Sequence, residues 1–104
     1  MFHALVYTKE LVERGHATRL IFDGAATQWL ARWGAPDGDD ARRMGAFFGA
    51  LKEAGVAYTV CDFCAGAFQV RDALADLREP LTGEYMDHPS IARLIEEGYE
   101  LLVL

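Results

Sequence analysis

Glu53-Ala54-Gly55-Val56-Ala57-Tyr58-Thr59-Val60-Cys61-Asp62-Phe63-Cys64 carries the signal that decides the fold. Its glycine ends a helix, because the left-handed conformation at the position after the last turn costs glycine nothing. A short β-rich run follows at once. The same punctuation recurs on both sides of this stretch. Glu13-Arg14-Gly15 leads into Ala17-Thr18-Arg19-Leu20-Ile21-Phe22, and Glu96-Glu97-Gly98 leads into Tyr99-Glu100-Leu101-Leu102-Val103-Leu104. Upstream of these glycines the apolar residues repeat with helical spacing. Met44, Phe47, Phe48 and Leu51 fall at i, i+3, i+4 and i+7, and so do Val70, Ala73, Leu74 and Leu77.

The remaining elements follow from this rhythm. Phe2 to Arg14 reads as an opening helix and Thr27 to Trp33 as a shorter one. Ile91, Leu94 and Ile95 mark a last helix, with Pro89 suited to its first turn. Pro80-Leu81-Thr82-Gly83-Glu84 is a weak strand, placed at a sheet edge because proline cannot donate to a ladder. Helices alternating with short apolar strands imply an α/β domain, with a parallel sheet of about four strands between helical layers. The order begins inside a helix, where such a domain ordinarily starts with a strand.

Length and charge bound what such a domain does. A chain of 104 residues has room for a single domain, residues 1–104. Sixteen acidic residues against ten Lys and Arg give a formal charge of −6. That balance argues against binding phosphate backbones or anionic membrane surfaces, both of which need clustered cations. No apolar run approaches the roughly 18 residues of a membrane span. Met1 to Glu10 lacks the basic start of a signal peptide, and two cysteines do not make a secreted disulfide scaffold, so a reducing cytoplasm is expected.

In a parallel sheet, every strand-to-helix loop lies at the carboxyl edge, where ligands usually bind. Asp23 and Gly24 end one strand there, and Cys61, Asp62 and Cys64 end the next. Glu84, Tyr85, Asp87 and His88 follow the weak strand. His3, opening the first helix, faces the same edge, and His16 belongs at the opposite one. Cys61-Asp62-Phe63-Cys64 is the sharpest feature. Orphan N–H groups at a helix start favour a thiolate, and Asp62 opposes it by like-charge repulsion. The alternative is two small core residues, since cysteine is often buried. A closed zinc site needs four ligands, and there is no second Cys-x-x-Cys. His88 either caps the following helix or moves a proton beside a thiol. Asp23 and Gly24 either make a turn and cap or orient a partner. Trp29 and Trp33 share one helical face, which suits the core or a subunit interface.

With these residues in place, the chain resembles the DsrE/DsrF-like family of small sulfur-handling proteins. The resemblance is carried by His16-Ala17-Thr18-Arg19-Leu20-Ile21-Phe22-Asp23-Gly24, by Val60-Cys61-Asp62-Phe63-Cys64-Ala65, and by His88-Pro89-Ser90-Ile91-Ala92-Arg93-Leu94-Ile95-Glu96-Glu97-Gly98-Tyr99. It implies a three-layer α/β/α fold, assembled as a homo- or hetero-oligomer, and relay of sulfur as a cysteine persulfide. It maps the persulfide to Cys61, or to Cys64 if the loop is offset. The Arg-Gly that relay members often carry after the cysteine is replaced by Ala65-Gly66-Ala67-Phe68-Gln69-Val70-Arg71.

The expected function is therefore a sulfur carrier or sulfurtransferase-like protein. Cys61, Cys64 and His88 form its catalytic group, and Asp23, Gly24 and Tyr85 contact the substrate. Its partners are a protein sulfur donor and acceptor, with no cofactor. Alternatives are a non-catalytic subunit of a hetero-oligomer and a dithiol redox or metal-binding protein using Cys61, Cys64 and His88. The resemblance also implies that the family's first strand is absent here, as an interior one, which makes Met1 an expected internal start.

Overall fold

Each of the three punctuating glycines takes up the left-handed backbone that the sequence reserves for it. A computed structural model of the chain describes residues 2–104. Met1, read above as an internal start, lies outside them. Gly15, Gly55 and Gly98 have φ of 82°, 91° and 97°. The first two separate helix α1 (Phe2–Glu13) from strand β1 (Arg19–Phe22), and helix α3 (Asp39–Glu53) from strand β2 (Ala57–Cys61). Between β1 and α3 lies α2 (Ala26–Gly34). After β2 come α4 (Asp62–Ala67), α5 (Arg71–Asp76), β3 (Leu81–Thr82) and α6 (Ile91–Glu96).

The strands form one open parallel sheet in the order β1-β2-β3. Arg19 to Phe22 pair with Ala57 to Val60 in register, so β1 and β2 are direct neighbours. Val60 and Cys61 pair with Leu81 and Thr82 on the other side. The Val60 N–H donates to the Pro80 carbonyl at 2.9 Å, so the proline serves as an acceptor beside the ladder where it lacks a donor.

Alternation along the strands assigns the two faces. Phe22 and Val60 point into the buried core, and Leu20 and Tyr58 pack against it. Five helices feed that core, through Leu5 of α1, Leu30 of α2, Phe48 and Leu51 of α3, Ala65 of α4 and Leu74 of α5. Phe48 is the hub of an aromatic cluster, with ring centroids 5.3 Å from Phe22, 5.2 Å from Trp33 and 5.0 Å from Tyr58. Trp33 is thus a core residue, the first of the two roles its spacing allowed. The other face of the sheet carries Ile21, Thr59 and Thr82. With Ser90 and Leu94 they line a groove of about 240 Å³ along the short α6.

Two expectations change. Among the described residues the sheet has three strands, where about four were expected. Tyr99 to Leu104 follows Gly98 as predicted, yet forms no ladder, and Leu102 and Val103 stand 69% and 86% exposed. A strand exists only through its pairing, and no described strand runs alongside this segment. The second change concerns α6. Its N-cap is Ser90, whose hydroxyl accepts the Arg93 N–H at 3.2 Å. Pro89 sits ahead of the cap, outside the first turn, and His88 does not cap the helix.

Leu74 is wholly buried at the joint of α5 with the core. Leu74→Ala removes a side chain that its neighbours cannot replace, and is expected to cost about 2–5 kcal/mol. Against a total stability of about 5–15 kcal/mol, that shift is plain in the midpoint of a urea unfolding curve.

Candidate functional site at the end of the central strand

β2 is the middle strand, so its last residue ends inside the sheet. Cys61 is that residue, with 0% of its surface exposed. The chain turns directly into α4, with Cys61 as the N-cap. Its Sγ accepts the Cys64 N–H at 3.4 Å. That bond folds the Cys-x-x-Cys segment back on itself and brings the second thiol alongside the first. Both cysteines are unpaired; Cys61 is buried and Cys64 half-buried.

The third group arrives from β3. After Gly83 the backbone makes a tight hairpin, in which Tyr85 and His88 exchange both main-chain bonds, at 2.9 and 2.8 Å. Met86 and Asp87 between them have φ of 49° and 63°. Positive φ at both central positions is the signature of a type I′ turn, ordinarily built from Asn and Gly. Asp tolerates this backbone; Met is unusual there, and such a residue persists only when its surroundings fix it. They do so here. The Phe63 N–H donates to the Asp87 carbonyl at 2.8 Å, and the Phe63 ring stacks on the His88 imidazole at 4.7 Å. Gly83 lies so close beneath the turn that an added Cβ would stand 3.1 Å from the Asp87 Cα.

This turn delivers His88 to the thiols. Cys61, Cys64 and His88 each offer a ligand atom, all within 4.8 Å of one another, with Cys61 buried and the other two half-buried. His88 Nδ1 lies 2.7 Å from the Met86 carbonyl. A carbonyl only accepts, so Nδ1 carries the proton and the neutral ring keeps its lone pair on Nε2. The group therefore contains two thiols and one basic nitrogen of fixed tautomer.

Burial decides the state of the inner thiol. It disfavours the thiolate and pushes the Cys61 pKa up to about 11, against the Cys64 and Phe63 N–H groups, which lower it. Asp62, expected to oppose a thiolate, is instead bound to Arg71, with Nε 3.1 Å from its carboxylate. The Cys61 thiol faces the Asp87 carbonyl at 4.0 Å.

The other candidates lie outside this group. Asp23 and Gly24 make the turn into α2 through their carbonyls, which accept from Ala26 at 3.0 Å and Thr27 at 3.2 Å. They do not cap the helix, whose N-cap is Ala25. Tyr85 contributes its backbone to the hairpin, and its side chain is 67% exposed. His3 stacks on Tyr7 at the surface, and exposed His16 lies in the turn ahead of β1, at the opposite end of that strand. Phe63, Gly83 and Met86 are positioning residues that the sequence did not mark, and Asp87, placed at this edge from the sequence, was given no role there. Gly83 carried a signal only as a glycine within the weak strand.

The chain matches the DsrE/DsrF-like family over residues 3–104. An uncharacterized protein of Methanocaldococcus jannaschii is 26% identical over 104 residues, an alignment that covers 100% of this chain and 79% of that one. No solved structure matches.

Three measurements check this geometry. At neutral pH, iodoacetamide is expected to label Cys64 well before Cys61, as read by peptide mass mapping. The raised Cys61 pKa also makes stability depend on pH. The folded chain holds this proton more tightly than the unfolded one, so stability is intact below the ordinary 9.0 and falls as pH rises from there through about 11. Cys61→Ala is expected to remove that part of the decline in urea titrations. Gly83→Ala pushes the hairpin off its seat, and the ¹⁵N resonance of His88 Nδ1 is expected to shift as its bond to Met86 lengthens.

Proposed function

The chain belongs to the DsrE/DsrF-like family, and from that premise we propose that it relays sulfur as a cysteine persulfide held on the Cys61–Cys64 pair. The observation that carries the reading is the convergence of two thiols and one imidazole within 4.8 Å at the end of the central strand. Thiolate attack on a sulfane sulfur needs a reachable nucleophile, a group to take its proton, and shelter for the product.

Access divides the labour. Cys64 is half-buried and open to a partner, whereas Cys61 is fully enclosed and protonated at neutral pH. Cys64 is therefore the attacking thiol and Cys61 the one in reserve, the reverse of the first assignment that the resemblance implied. His88 Nε2 accepts the Cys64 proton. The Cys64 thiolate attacks the outer sulfur of a donor persulfide, the donor's S–S bond breaks, and the donor leaves as a thiolate that recovers the proton. The product is Cys64–S–SH and a free donor thiol. An acceptor thiolate then repeats the exchange on the outer sulfur and restores Cys64. Neither step changes the overall oxidation state.

Donor and acceptor are proteins that present a cysteine to this edge. The exposed Phe63 ring, stacked on His88, gives them a surface to meet. Cytoplasmic residence and assembly into oligomers accompany the reading as parts of the proposal. Among the described residues, no helix is long and apolar enough to cross a membrane.

Incubation with a small-molecule persulfide donor is expected to add the mass of one sulfur atom to the native chain. Cys64→Ser should gain none, and Cys61→Ser should still load but lose the sulfur faster, its shelter being altered. Equal loading of the wild type and the double variant would remove both cysteines from the mechanism.

A further inference from the structure

We propose that Cys61, Cys64 and His88 also form an exchangeable binding site for a thiophilic divalent cation of the zinc type. The inference stands on the geometry of the three side chains and does not depend on sulfur transfer. Two sulfurs and one imidazole nitrogen are the donor set that borderline-soft cations select over calcium or magnesium. Three protein ligands leave one position for water, the arrangement of open zinc sites.

The distances suit it. Tetrahedral zinc, with bonds of about 2.3 Å to sulfur and 2.0–2.1 Å to nitrogen, requires ligand separations of about 3.8 Å between sulfurs and about 3.5 Å from sulfur to nitrogen. The three side chains place their ligand atoms within 4.8 Å of one another, so a sulfur–sulfur pair closes by about 1 Å at most and a sulfur–nitrogen pair by about 1.3 Å at most. Rotation of the half-buried Cys64 and His88 side chains supplies that motion while the backbone stays in place.

The surrounding contacts are those a metal centre uses to orient its ligands. A ligating histidine normally donates its other ring N–H to a carbonyl or carboxylate. His88 already does so, from Nδ1 to the Met86 carbonyl at 2.7 Å, which leaves Nε2 as the ligand atom. The Cys64 N–H directed at Cys61 Sγ from 3.4 Å stabilises that sulfur once it is a thiolate. On binding, both thiols give their protons to solvent, and the two thiolates neutralise the dication. Cation and persulfide then compete for the same sulfurs, so a bound cation holds the site closed to a sulfur donor.

The test uses the reduced full chain and metal salts alone. Zinc titrated against a chromophoric chelator is expected to bind one equivalent per chain. Cys61→Ser, Cys64→Ser and His88→Gln should each weaken it by at least about tenfold, and His16→Gln should leave it unchanged. Cobalt(II) in place of zinc should show sulfur-to-metal charge transfer and the intense visible bands of a tetrahedral site. This measurement needs no variant and stays informative if a substitution fails to fold. Zinc held as tightly by His88→Gln as by the wild type overturns the proposal, and so do six-coordinate cobalt bands without charge transfer. Binding that survives unfolding in urea does the same, because it reduces the site to two loose thiols. Loss of sulfur loading in a chain that still binds zinc would sink the relay and leave the metal site standing.

Discussion

Everything at the candidate site depends on the double pairing of β2. A strand bonded on both edges has its ends fixed by two ladders, and in a parallel sheet its carboxyl end shares one rim with its neighbours' carboxyl ends. Cys61 therefore emerges beside the point where β3 gives way to the hairpin carrying His88. Were β2 an edge strand, or β3 antiparallel, the thiols and the imidazole would leave the sheet in different directions. The aromatic cluster on the inner face serves this constraint from below, because Phe22, Phe48 and Tyr58 hold the β1–β2 pair flat against α3.

Function in this arrangement comes from a contrast between two similar groups. The cysteines are three residues apart and share a hydrogen bond, yet one is sealed and the other open. Burial holds the inner thiol protonated against two backbone donors that favour its thiolate, so desolvation outweighs the helix start. A site with one reactive and one reserved sulfur can take on a group without closing at once into a disulfide. The proposed sulfur relay and the proposed cation site would both draw on that asymmetry, the first through the open thiol and the second by drawing both into the charged form.

Much of this was legible in the residues. Gly15, Gly55 and Gly98 announced three helix ends correctly, because positive φ is a property glycine advertises in its own identity. The convergence of Cys61, Cys64 and His88 followed from topology alone, since parallel strands fix which loops share an edge. Two things did not follow. Whether Tyr99 to Leu104 pairs depends on a neighbouring strand elsewhere, which no local pattern encodes, so an apolar β-rich run was read as a strand. The Met86–Asp87 turn was invisible for the opposite reason. Its left-handed backbone is imposed by the Phe63–Asp87 bond and the close seat over Gly83, and neither Met86 nor Asp87 has a composition that signals a hairpin.

The hairpin also bears on how such a site persists through divergence. His88 is held by main-chain bonds at Tyr85 and Met86, and the turn is anchored by a main-chain bond from Phe63. Little of that scaffold depends on which side chains hang from it, so substitutions at position 85, and at 86 and 87 by residues that tolerate a left-handed backbone, can accumulate without moving the imidazole. Two relatives can then share the same reactive corner while agreeing on few letters there. For proteins built this way, superposing backbones around the central strand's end will recognise kinship that letter-by-letter comparison undercounts, and Gly83 is the letter to look for first.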